Sequence, residues 1–327
     1  MNNKPFKLKP IGKDYLWGGN RLNDDYAKCI DLSPLAETWE CSTHHDGQSI
    51  VAVSGEPLGI LLEQHPEYLG IHSLSLTNGR PELPILIKFI DAKSDLSIQV
   101  HPDDEYAMKN ESDLGKTEMW YVLDASTESR IVYGFGFDVN REIVRGSIKD
   151  GSIKNLLNYV PVHKNDVFYI EPGLVHAIGA GCLIAEIQES SNVTYRLYDY
   201  DRKDKEGKTR PLQIDKALDV INLKSSVKPR QSLRVLKYKK GYASELLARC
   251  RYFNVERVLL NTDLHREMPN YRTDNNSFHA LLCTDGFGVL SGEEYTLSFN
   301  KGDCVFVPAC SIDLRLSGKA QFLDVCC

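Results

Sequence analysis

The stretch Leu96-Ser-Ile-Gln-Val-His-Pro-Asp-Asp104 contains a short β-prone run that ends at a proline. In a β-strand, alternate side chains lie on the same face. Gln99 and His101 therefore share one face, while Ile98 and Val100 share the other. An amide oxygen beside an imidazole is predicted to form half of a metal site, which a carboxylate and a second histidine should complete.

Composition limits the class of protein. The 327 residues are long for one domain and suggest two. A net charge of −6 without a long basic tract argues against a nucleic-acid partner. No apolar run approaches the roughly 18 residues of a membrane span, and no apolar run follows the basic N-terminus as in a signal peptide. The nine cysteines form no Cys-x-x-Cys pair, so we expect reduced thiols and a cytoplasmic protein.

Short β-prone runs bounded by Gly, Pro, Asn and Asp dominate the chain and predict an antiparallel sandwich or barrel. Three helical segments interrupt them, at about residues 103–111, 140–157 and 212–223. The predicted strands are Ile85–Ile90, Leu96–Val100, Met119–Leu123, Arg130–Phe135, Asp166–Ile170 and Leu183–Ile187, and then Phe253–Leu260, Ser277–Leu282, Gly286–Ser291, Cys304–Val307 and Ala320–Val325.

A polar, proline-containing segment at residues 224–232 predicts a boundary between domains at 1–232 and 233–327. A weak internal repeat relates the two parts, because Lys164–Gly173 and Lys301–Ala309 both read as a basic residue, a turn, Asp, an apolar strand and a proline. The first copy leads to His176, whereas the equivalent position of the second is Ile312. The second part is therefore predicted to lack metal ligands.

Four side chains are candidates for one metal: Gln99, His101, Glu118 and His176. Glu118 stands at the start of a predicted strand, and His176 follows a Pro-Gly turn. Imidazoles with oxygen donors suit zinc, and manganese, iron or cobalt are also plausible.

Several segments, taken in order, resemble one family. They are Asp14-Tyr-Leu-Trp-Gly-Gly-Asn20, Ala36-Glu-Thr-Trp-Glu40, His45-Asp-Gly47, Leu96–Asp104, Gly115-Lys-Thr-Glu118, Pro172–Ala177 and Ile187-Gln-Glu-Ser-Ser-Asn-Val-Thr-Tyr-Arg196. This set resembles the type I mannose-6-phosphate isomerases, also called phosphomannose isomerases, of the cupin superfamily. The compact length and the Gly-Lys-Thr-Glu form resemble the short bacterial branch.

The resemblance implies a mainly β fold of two cupin-type jelly-roll domains, with a small helical insertion in the N-terminal part. It implies interconversion of mannose 6-phosphate and fructose 6-phosphate through a cis-enediolate. It also implies one zinc per chain, held by Gln99, His101, Glu118 and His176, and a catalytic role for Arg196. A small sugar phosphate is the expected partner, and the chain is expected to be a monomer or a weak homo-oligomer.

An aldose–ketose isomerisation needs a base near C1 and C2 and cationic groups for the developing oxyanion and the phosphate. Arg196 suits an oxyanion or a phosphate, although nearby Asp199 and Asp201 would also fit a surface salt bridge. Glu186 is the candidate base, with Glu189 as its rival.

Three further cations and a hydroxyl group lie near the proposed ligands. Lys116 is predicted to contact sugar or phosphate oxygens or to stabilise the enediolate. Ser97 shares a face with Gln99 and is a candidate substrate contact. Lys88 and Lys93 are predicted to be solvated charges, one of which could be drawn to phosphate.

Three alternatives stay open at this stage. The chain could be a cupin isomerase of another sugar phosphate such as glucose 6-phosphate, or a non-catalytic sugar-binding or regulatory cupin. A cupin dioxygenase is less favoured, because such a strand normally carries a His-x-His pair in place of Gln99-x-His101.

Overall fold

The computed structural model describes residues 3–204, 206–226, 234–263 and 268–327. The fold is mainly β with short helices, as predicted. None of the helices in these ranges has the length and apolar character needed to cross a membrane.

The strands follow one another as β1 (Phe6–Lys9), β2 (Ile11–Lys13), β3 (Glu37–Cys41), β4 (Ile50–Val51), β5 (Ile85–Asp91), β6 (Ile98–Val100), β7 (Glu118–Ala125), β8 (Arg130–Phe135), β9 (Leu157–Pro161), β10 (Val167–Ile170), β11 (His176–Ile178), β12 (Cys182–Glu189), β13 (Tyr195–Tyr198), β14 (Lys237–Lys239), β15 (Tyr242–Arg249), β16 (Asn254–Asn261), β17 (Asn270–Tyr271), β18 (His279–Gly292), β19 (Tyr295–Asn300), β20 (Cys304–Val307) and β21 (Leu314–Cys326). The α-helices are α1 (Arg21–Asp24), α2 (Leu58–Gln64), α3 (Ile71–Leu76), α4 (Asp104–Asn110), α5 (Arg141–Lys149) and α6 (Ile214–Val220), with 3₁₀ turns at Pro66–Tyr68 and Ile153–Leu156.

The strands form three sheets. The central sheet has the order β10-β7-β12-β5-β3-β2, and the outer sheet has the order β13-β6-β11-β8-β9. The C-terminal sheet runs β14-β15-β16-β21-β18-β20-β1-β4, with β17 beside β21 and β19 beside β18. Nearly all of the pairing is antiparallel, and the two N-terminal sheets pack face to face.

The central sheet is buried on both faces. Along β7, Trp120 and Val122 point to the core shared with the outer sheet. Met119 and Tyr121 point the other way, into a core shared with C-terminal residues such as Phe306. Alternation of side chains along a strand produces this division. The central sheet therefore connects the two parts of the chain as well as supporting the site described below.

Strand β1, at the start of the chain, belongs to the C-terminal sheet. It pairs with β20, and Phe6 stacks on Phe306 with ring centroids 5.2 Å apart. No motif in the sequence indicated this pairing. The predicted boundary at residues 232 and 233 lies outside the described residues, and the division into 1–232 and 233–327 stays a prediction.

Most of the predicted elements are present, but the prediction missed several strands, among them β3, β13, β15 and β19. The three helical segments contain α4, α5 with the following 3₁₀ turn, and α6. The runs predicted as two strands, Ser277–Leu282 and Gly286–Ser291, instead form the single strand β18. Its pairing with β21 is irregular between Cys283 and Asp285, where Gly286 has a φ of 72°. The gap between the two predicted runs is therefore a bulge inside one long strand.

The internal repeat has the same pairing register in both parts. In the first part Ile170 lies opposite Glu118, and in the second Val307 lies opposite His279. Ile170 and Val307 are equivalent positions of the two sequence copies. His279 therefore occupies in the second jelly roll the position that Glu118 occupies in the first.

His279 makes a compact polar cluster with Asp324 and Tyr271. Its Nδ1 lies 2.6 Å from Oδ1 of Asp324, and the Tyr271 hydroxyl lies 3.1 Å from Oδ2 of that carboxylate. Burial alone would lower the pKa of His279, but Asp324 raises it above its ordinary value, and Asp274 and Glu256 add to this effect. A hydrogen-bonded ion pair thus fills the position that corresponds to Glu118.

We predict that His279→Leu lowers the free energy of unfolding by about 1–3 kcal/mol, since it leaves Asp324 without its charged partner. The folded-state pKa is raised, so the stabilisation is present below the ordinary histidine pKa of about 6.5 and is lost as the pH rises through the folded-state value. Urea unfolding at pH 6 and pH 9 should show the larger loss at pH 6. His45→Leu, at an exposed position, is the control. Equal losses of unfolding free energy at both pH values would show that the charged His279–Asp324 pair does not stabilise the fold.

Candidate functional site

Two rows of cross-strand neighbours position the predicted site residues. On the outer sheet, Arg196 and His176 flank Gln99 from its two neighbouring strands. On the central sheet, Glu186 lies between Trp120 and Lys88. These rows face the space between the two sheets. The register of strand pairing determines which side chains are neighbours across the sheet. Paired strands rather than flexible loops therefore position these groups.

Three predicted ligands converge within this space. His101 Nε2 lies 3.3 Å from one oxygen of Glu118, and His176 Nε2 lies 3.8 Å from the other. The two Nε2 atoms are 3.1 Å apart. All three side chains are almost completely buried. The prediction that residues far apart in sequence meet at one point agrees with this geometry.

The hydrogen bonds of the two histidines select the same tautomer. Nδ1 of His101 lies 2.9 Å from the carbonyl oxygen of Val193, and Nδ1 of His176 lies 2.8 Å from that of Leu174. A carbonyl only accepts, so both Nδ1 atoms carry the proton and both Nε2 atoms present lone pairs. Burial lowers the pKa of His101 to about 3, with a contribution from Lys116, and burial also lowers the pKa of His176. Two neutral imidazoles thus aim their acceptors at one point.

This donor set fits a cation. Two lone pairs 3.1 Å apart repel unless a positive group lies between them. Both carboxylate oxygens of Glu118 are buried without a well-formed hydrogen bond. Such orphaned acceptors are costly inside a protein, and a metal ion would satisfy them. Two imidazole nitrogens and a carboxylate are ligands that zinc and similar divalent metals take.

Gln99 lies at the edge of the triad, as predicted. Its Nε2 is 3.3 Å from Nε2 of His176, and its Oε1 accepts a hydrogen bond from Ser97 at 3.3 Å. A half-turn of the amide exchanges these atoms, which places Oε1 beside the histidine and lets Nε2 donate to the hydroxyl. Gln99 can therefore supply the fourth donor without moving its backbone.

Lys116 is the cation nearest to the triad. Its Nζ lies 2.9 Å from Oε1 of Glu118, and the side chain is almost fully buried. Burial alone would raise the pKa of Glu118, but the ammonium of Lys116 holds it well below its usual range. Glu118 is thus ionised, as a metal ligand must be.

A pocket opens onto this triad. Five of the eight predicted site residues line it, namely Ser97, Gln99, Lys116, Glu186 and Arg196. Of the other three, His176 contacts Gln99, Glu118 contacts Lys116, and His101 contacts Glu118. The structure therefore brings all eight predicted residues together.

The prediction that Lys88 is a solvated charge is wrong, whereas Lys93 is exposed as expected. Lys88 is 4% exposed and lies 3.3 Å from Glu186 and 3.7 Å from Glu37. Burial alone would lower its pKa, but the two carboxylates raise it above the ordinary value. Central-sheet strands that are covered on both faces bury every side chain, including a lysine that has partners.

Glu186 and Glu189 occupy different environments. Glu186 lines the pocket, accepts a 2.9 Å hydrogen bond from Trp120 Nε1 and pairs with Lys88. Burial raises its pKa above the ordinary value, and the charge of Glu118 adds to this effect. Glu189 does not line that pocket, and its Oε1 accepts a 2.7 Å hydrogen bond from the Thr117 amide. Of the two glutamates, Glu186 is the one placed to meet a ligand.

The mouth of the pocket carries a surplus of positive charge. Asp199 pairs with Arg202 and with Arg210, whose Nε and Nη2 lie 2.7 and 2.6 Å from its two oxygens. Among the described residues, no carboxylate lies within ion-pairing distance of Arg196, so the salt bridge considered from the sequence does not form. Burial lowers the pKa of Arg196, and Arg210 contributes. Two guanidinium groups thus pair with one carboxylate and the nearby Arg196 pairs with none, an arrangement that suits an anion.

Sequence reasoning did not identify three of the pocket residues: Glu37, Lys88 and Arg210. Glu37 stood in a quoted motif but had no assigned partner. Lys88 carried a usable signal, since a single lysine inside an apolar strand is buried if both faces of its sheet are covered. Arg210 follows a polar turn and gave no local sign of its position.

Comparisons with known proteins agree with this site. The family profile described as "Phosphomannose isomerase type I, catalytic domain" matches residues 5–129, and "Mannose-6-phosphate isomerase, cupin domain" matches residues 243–327. The chain is 36% identical to mannose-6-phosphate isomerase ManA of Bacillus subtilis over 98% of both chains. It is 34% identical to mannose-6-phosphate isomerase of Streptococcus mutans, over 98% of this chain and 97% of that one.

Solved structures give the same result. The crystal structure of mannose 6-phosphate isomerase from Bacillus subtilis superposes with a TM-score of 0.88 at 31% identity, covering 98% of this chain and 99% of that one. The fold is therefore of the predicted cupin type. Full-length identity above 30%, both family profiles and the geometry of the site lead to one conclusion: this chain belongs to the type I mannose-6-phosphate isomerase family.

Proposed function

We propose that the chain is a metal-dependent aldose–ketose isomerase that interconverts mannose 6-phosphate and fructose 6-phosphate through a cis-enediolate. The observation that carries this proposal is the buried group of His101, Glu118 and His176 beside a pocket that Gln99, Glu186 and Arg196 line. Relatives named as mannose-6-phosphate isomerases, matched over their full length, support it. Membership of the family also favours this substrate over the other sugar phosphates considered from the sequence.

Gln99, His101, Glu118 and His176 would hold one metal, for which we propose zinc. Two neutral imidazoles, a carboxylate and an amide oxygen form a compact nitrogen and oxygen donor set, which manganese and cobalt also accept. When bound, the metal supplies Lewis acidity toward the substrate oxygens.

Glu186 would move the proton between C1 and C2. Burial raises its pKa above the ordinary carboxyl value, which is the direction that favours a general base. The 2.9 Å hydrogen bond from Trp120 and the ion pair with Lys88 hold the carboxylate in place. Lys116, which lies 2.9 Å from Glu118, would stabilise the enediolate oxygens, and Arg196, the other proposed catalytic residue, would act through the phosphate of the substrate.

The phosphate would lie at the mouth of the pocket. The deeper cations are already paired, Lys116 with Glu118 and Lys88 with Glu37 and Glu186. The unpaired positive charge belongs to Arg196 and its arginine neighbours. Ser97, which lines the same pocket, offers a hydroxyl to the substrate. An arginine fork binds a phosphate dianion through paired hydrogen bonds.

We further propose a cytoplasmic location, which the nine unpaired cysteines favour. We also propose that residues 1–232 form the catalytic domain and that residues 233–327 support it. The expectation of a monomer or weak homo-oligomer stays a prediction.

A direct assay tests this function. Protein loaded in turn with zinc, manganese and cobalt is incubated with mannose 6-phosphate, and fructose 6-phosphate is followed, with glucose 6-phosphate as the parallel substrate. We expect turnover of mannose 6-phosphate. Absence of turnover with every metal would refute the enzyme assignment, and turnover of glucose 6-phosphate alone would refute the substrate.

We predict that His101→Ala loses bound metal, since it removes one of two convergent lone pairs. Metal content measured by mass spectrometry should fall from about one per chain to well below that under conditions that saturate the unaltered protein. His279→Ala, which alters the equivalent site of the second jelly roll, is the matched control and should keep the metal. Stoichiometric metal in His101→Ala would show that the site is misassigned.

We predict that Glu186→Gln keeps its metal but lowers kcat by about 10²–10⁴, the usual contribution of a general base. The amide still accepts from Trp120, so the fold should be retained, but it cannot take a proton. Steady-state kinetics and metal analysis of the same sample separate these effects. A kcat within about threefold of the unaltered enzyme would exclude Glu186 as the base.

A further inference from the structure

Glu189 is a buried carboxyl group that the proposed reaction does not use. It is 1% exposed and holds both polar backbone groups of Thr117. Its Oε1 accepts a 2.7 Å hydrogen bond from the Thr117 amide, and its own amide donates to the Thr117 carbonyl at 3.1 Å. Thr117 lies between Lys116 and Glu118. Glu189 thus holds in place the residue that lies between two proposed site residues, Lys116 and Glu118.

The whole approach to strand β7 is fixed in the same way. The Gly115 amide donates to Oδ1 of Asp104 at 3.0 Å, and the Lys116 amide donates to the Pro102 carbonyl at 3.1 Å. A Cβ on Gly115 would lie 2.5 Å from backbone atoms of Asp103 and Asp104. This segment therefore packs directly on the start of α4, and it enters the site with every amide held by a defined acceptor.

A side chain from the C-terminal part of the chain completes the arrangement. The Tyr252 hydroxyl donates to Oδ2 of Asp104 at 2.6 Å, and Oδ1 of the same carboxylate accepts from the Gly115 amide at 3.0 Å. Burial raises the pKa of Glu189 to about 8, with a further contribution from Asp104. Among the described residues, Oε2 of Glu189 is buried without a hydrogen-bond partner, whereas Oε1 holds the Thr117 amide. Tyr252 and Asp104 thus hold the Gly115 end of the segment, and Glu189 holds Thr117.

We propose that Glu189, supported by Asp104 and Tyr252, is a positioning residue that sets the placement of Lys116 and Glu118. Through Tyr252, the C-terminal jelly roll would then contribute to the geometry of the site as well as to stability. This inference rests on the proposed function for its kinetic consequences. Its structural content, the placement of the Glu118 carboxylate, can be measured without turnover.

The first experiment compares Glu189→Gln with Glu189→Ala. Glutamine keeps an oxygen for the Thr117 amide, so it should retain at least a third of kcat and of zinc affinity. Alanine removes the acceptor, so zinc affinity from chelator competition and kcat should each fall by about 10–100-fold, the usual effect of losing support behind a metal ligand. KM should change less, because the phosphate contacts lie elsewhere.

A merely structural role would give a different pattern. Glu189→Ala would then lower the melting temperature, while zinc affinity and kcat per folded, metal-loaded molecule stayed at the level of the unaltered protein. That outcome would overturn the proposal, and so would equal losses in the glutamine and alanine variants.

The second experiment uses Tyr252→Phe, which removes one hydroxyl group and remains informative if the alanine variant does not fold. We expect kcat and zinc affinity to fall by about 3–10-fold. In the Glu189→Ala background, the same change should have a different effect, since Tyr252 and Glu189 both act on the segment from Gly115 to Thr117. Tyr238→Phe, at an exposed position in the same part of the chain, is the matched control. Strictly additive effects, or no effect of Tyr252→Phe, would overturn the proposal.

Zinc affinity and turnover, measured on the same variants, separate this inference from the proposed function. If the unaltered protein fails to isomerise mannose 6-phosphate while zinc affinity follows the expected order of variants, the positioning role stands and the substrate assignment fails. If turnover is observed but neither kcat nor zinc affinity responds to Glu189→Ala, the substrate assignment stands and the positioning role fails.

Discussion

The pairing of charges buried between the central and outer sheets is the constraint on which the rest of the structure depends. Lys116 must neutralise Glu118, and Lys88 must serve both Glu37 and Glu186. Breaking a buried ion pair costs about 3–5 kcal/mol, a large part of the roughly 5–15 kcal/mol that stabilises a folded domain. A slip of one residue in β5, β7 or β12 would turn these groups toward the apolar core on the other face of the central sheet. The ion pairs therefore require this strand register, and the cost of breaking them disfavours any other register.

This pairing divides the pocket into two electrostatic regions. The buried end has neutral imidazoles and paired charges, and there the Glu118 carboxylate and the two Nε2 atoms converge on one point. The mouth has Arg196, for which the described residues offer no carboxylate, beside Arg210, which pairs with Asp199. A sugar phosphate can satisfy both regions in only one direction, with its phosphate at the mouth and its carbonyl end toward Glu186 and the triad. The orientation of the substrate would follow from the distribution of charge rather than from the shape of the pocket.

The parts of this arrangement that depend on local spacing could be predicted from the sequence. The Gln99-x-His101 alternation, the Pro-Gly turn before His176 and the family motifs led to eight residues that the fold brings together. Partnerships between distant strands left no local trace. The burial of Lys88 depends on what covers both faces of β5, and the membership of β1 in the C-terminal sheet depends on a partner almost 300 residues away. The position of Arg210 depends on a turn whose path is set by Asp199.

The claim that the buried triad is a metal site can be tested most directly by anomalous X-ray scattering at the zinc edge from crystals grown with zinc. Our account predicts one strong peak about 2.0–2.2 Å from Nε2 of His101, Nε2 of His176 and an oxygen of Glu118, with the Gln99 amide turned to present its oxygen. His44, His45 and Asp46 form another group whose ligand atoms lie close together, although two of the three are exposed. A peak at that group with none at the triad would contradict the account.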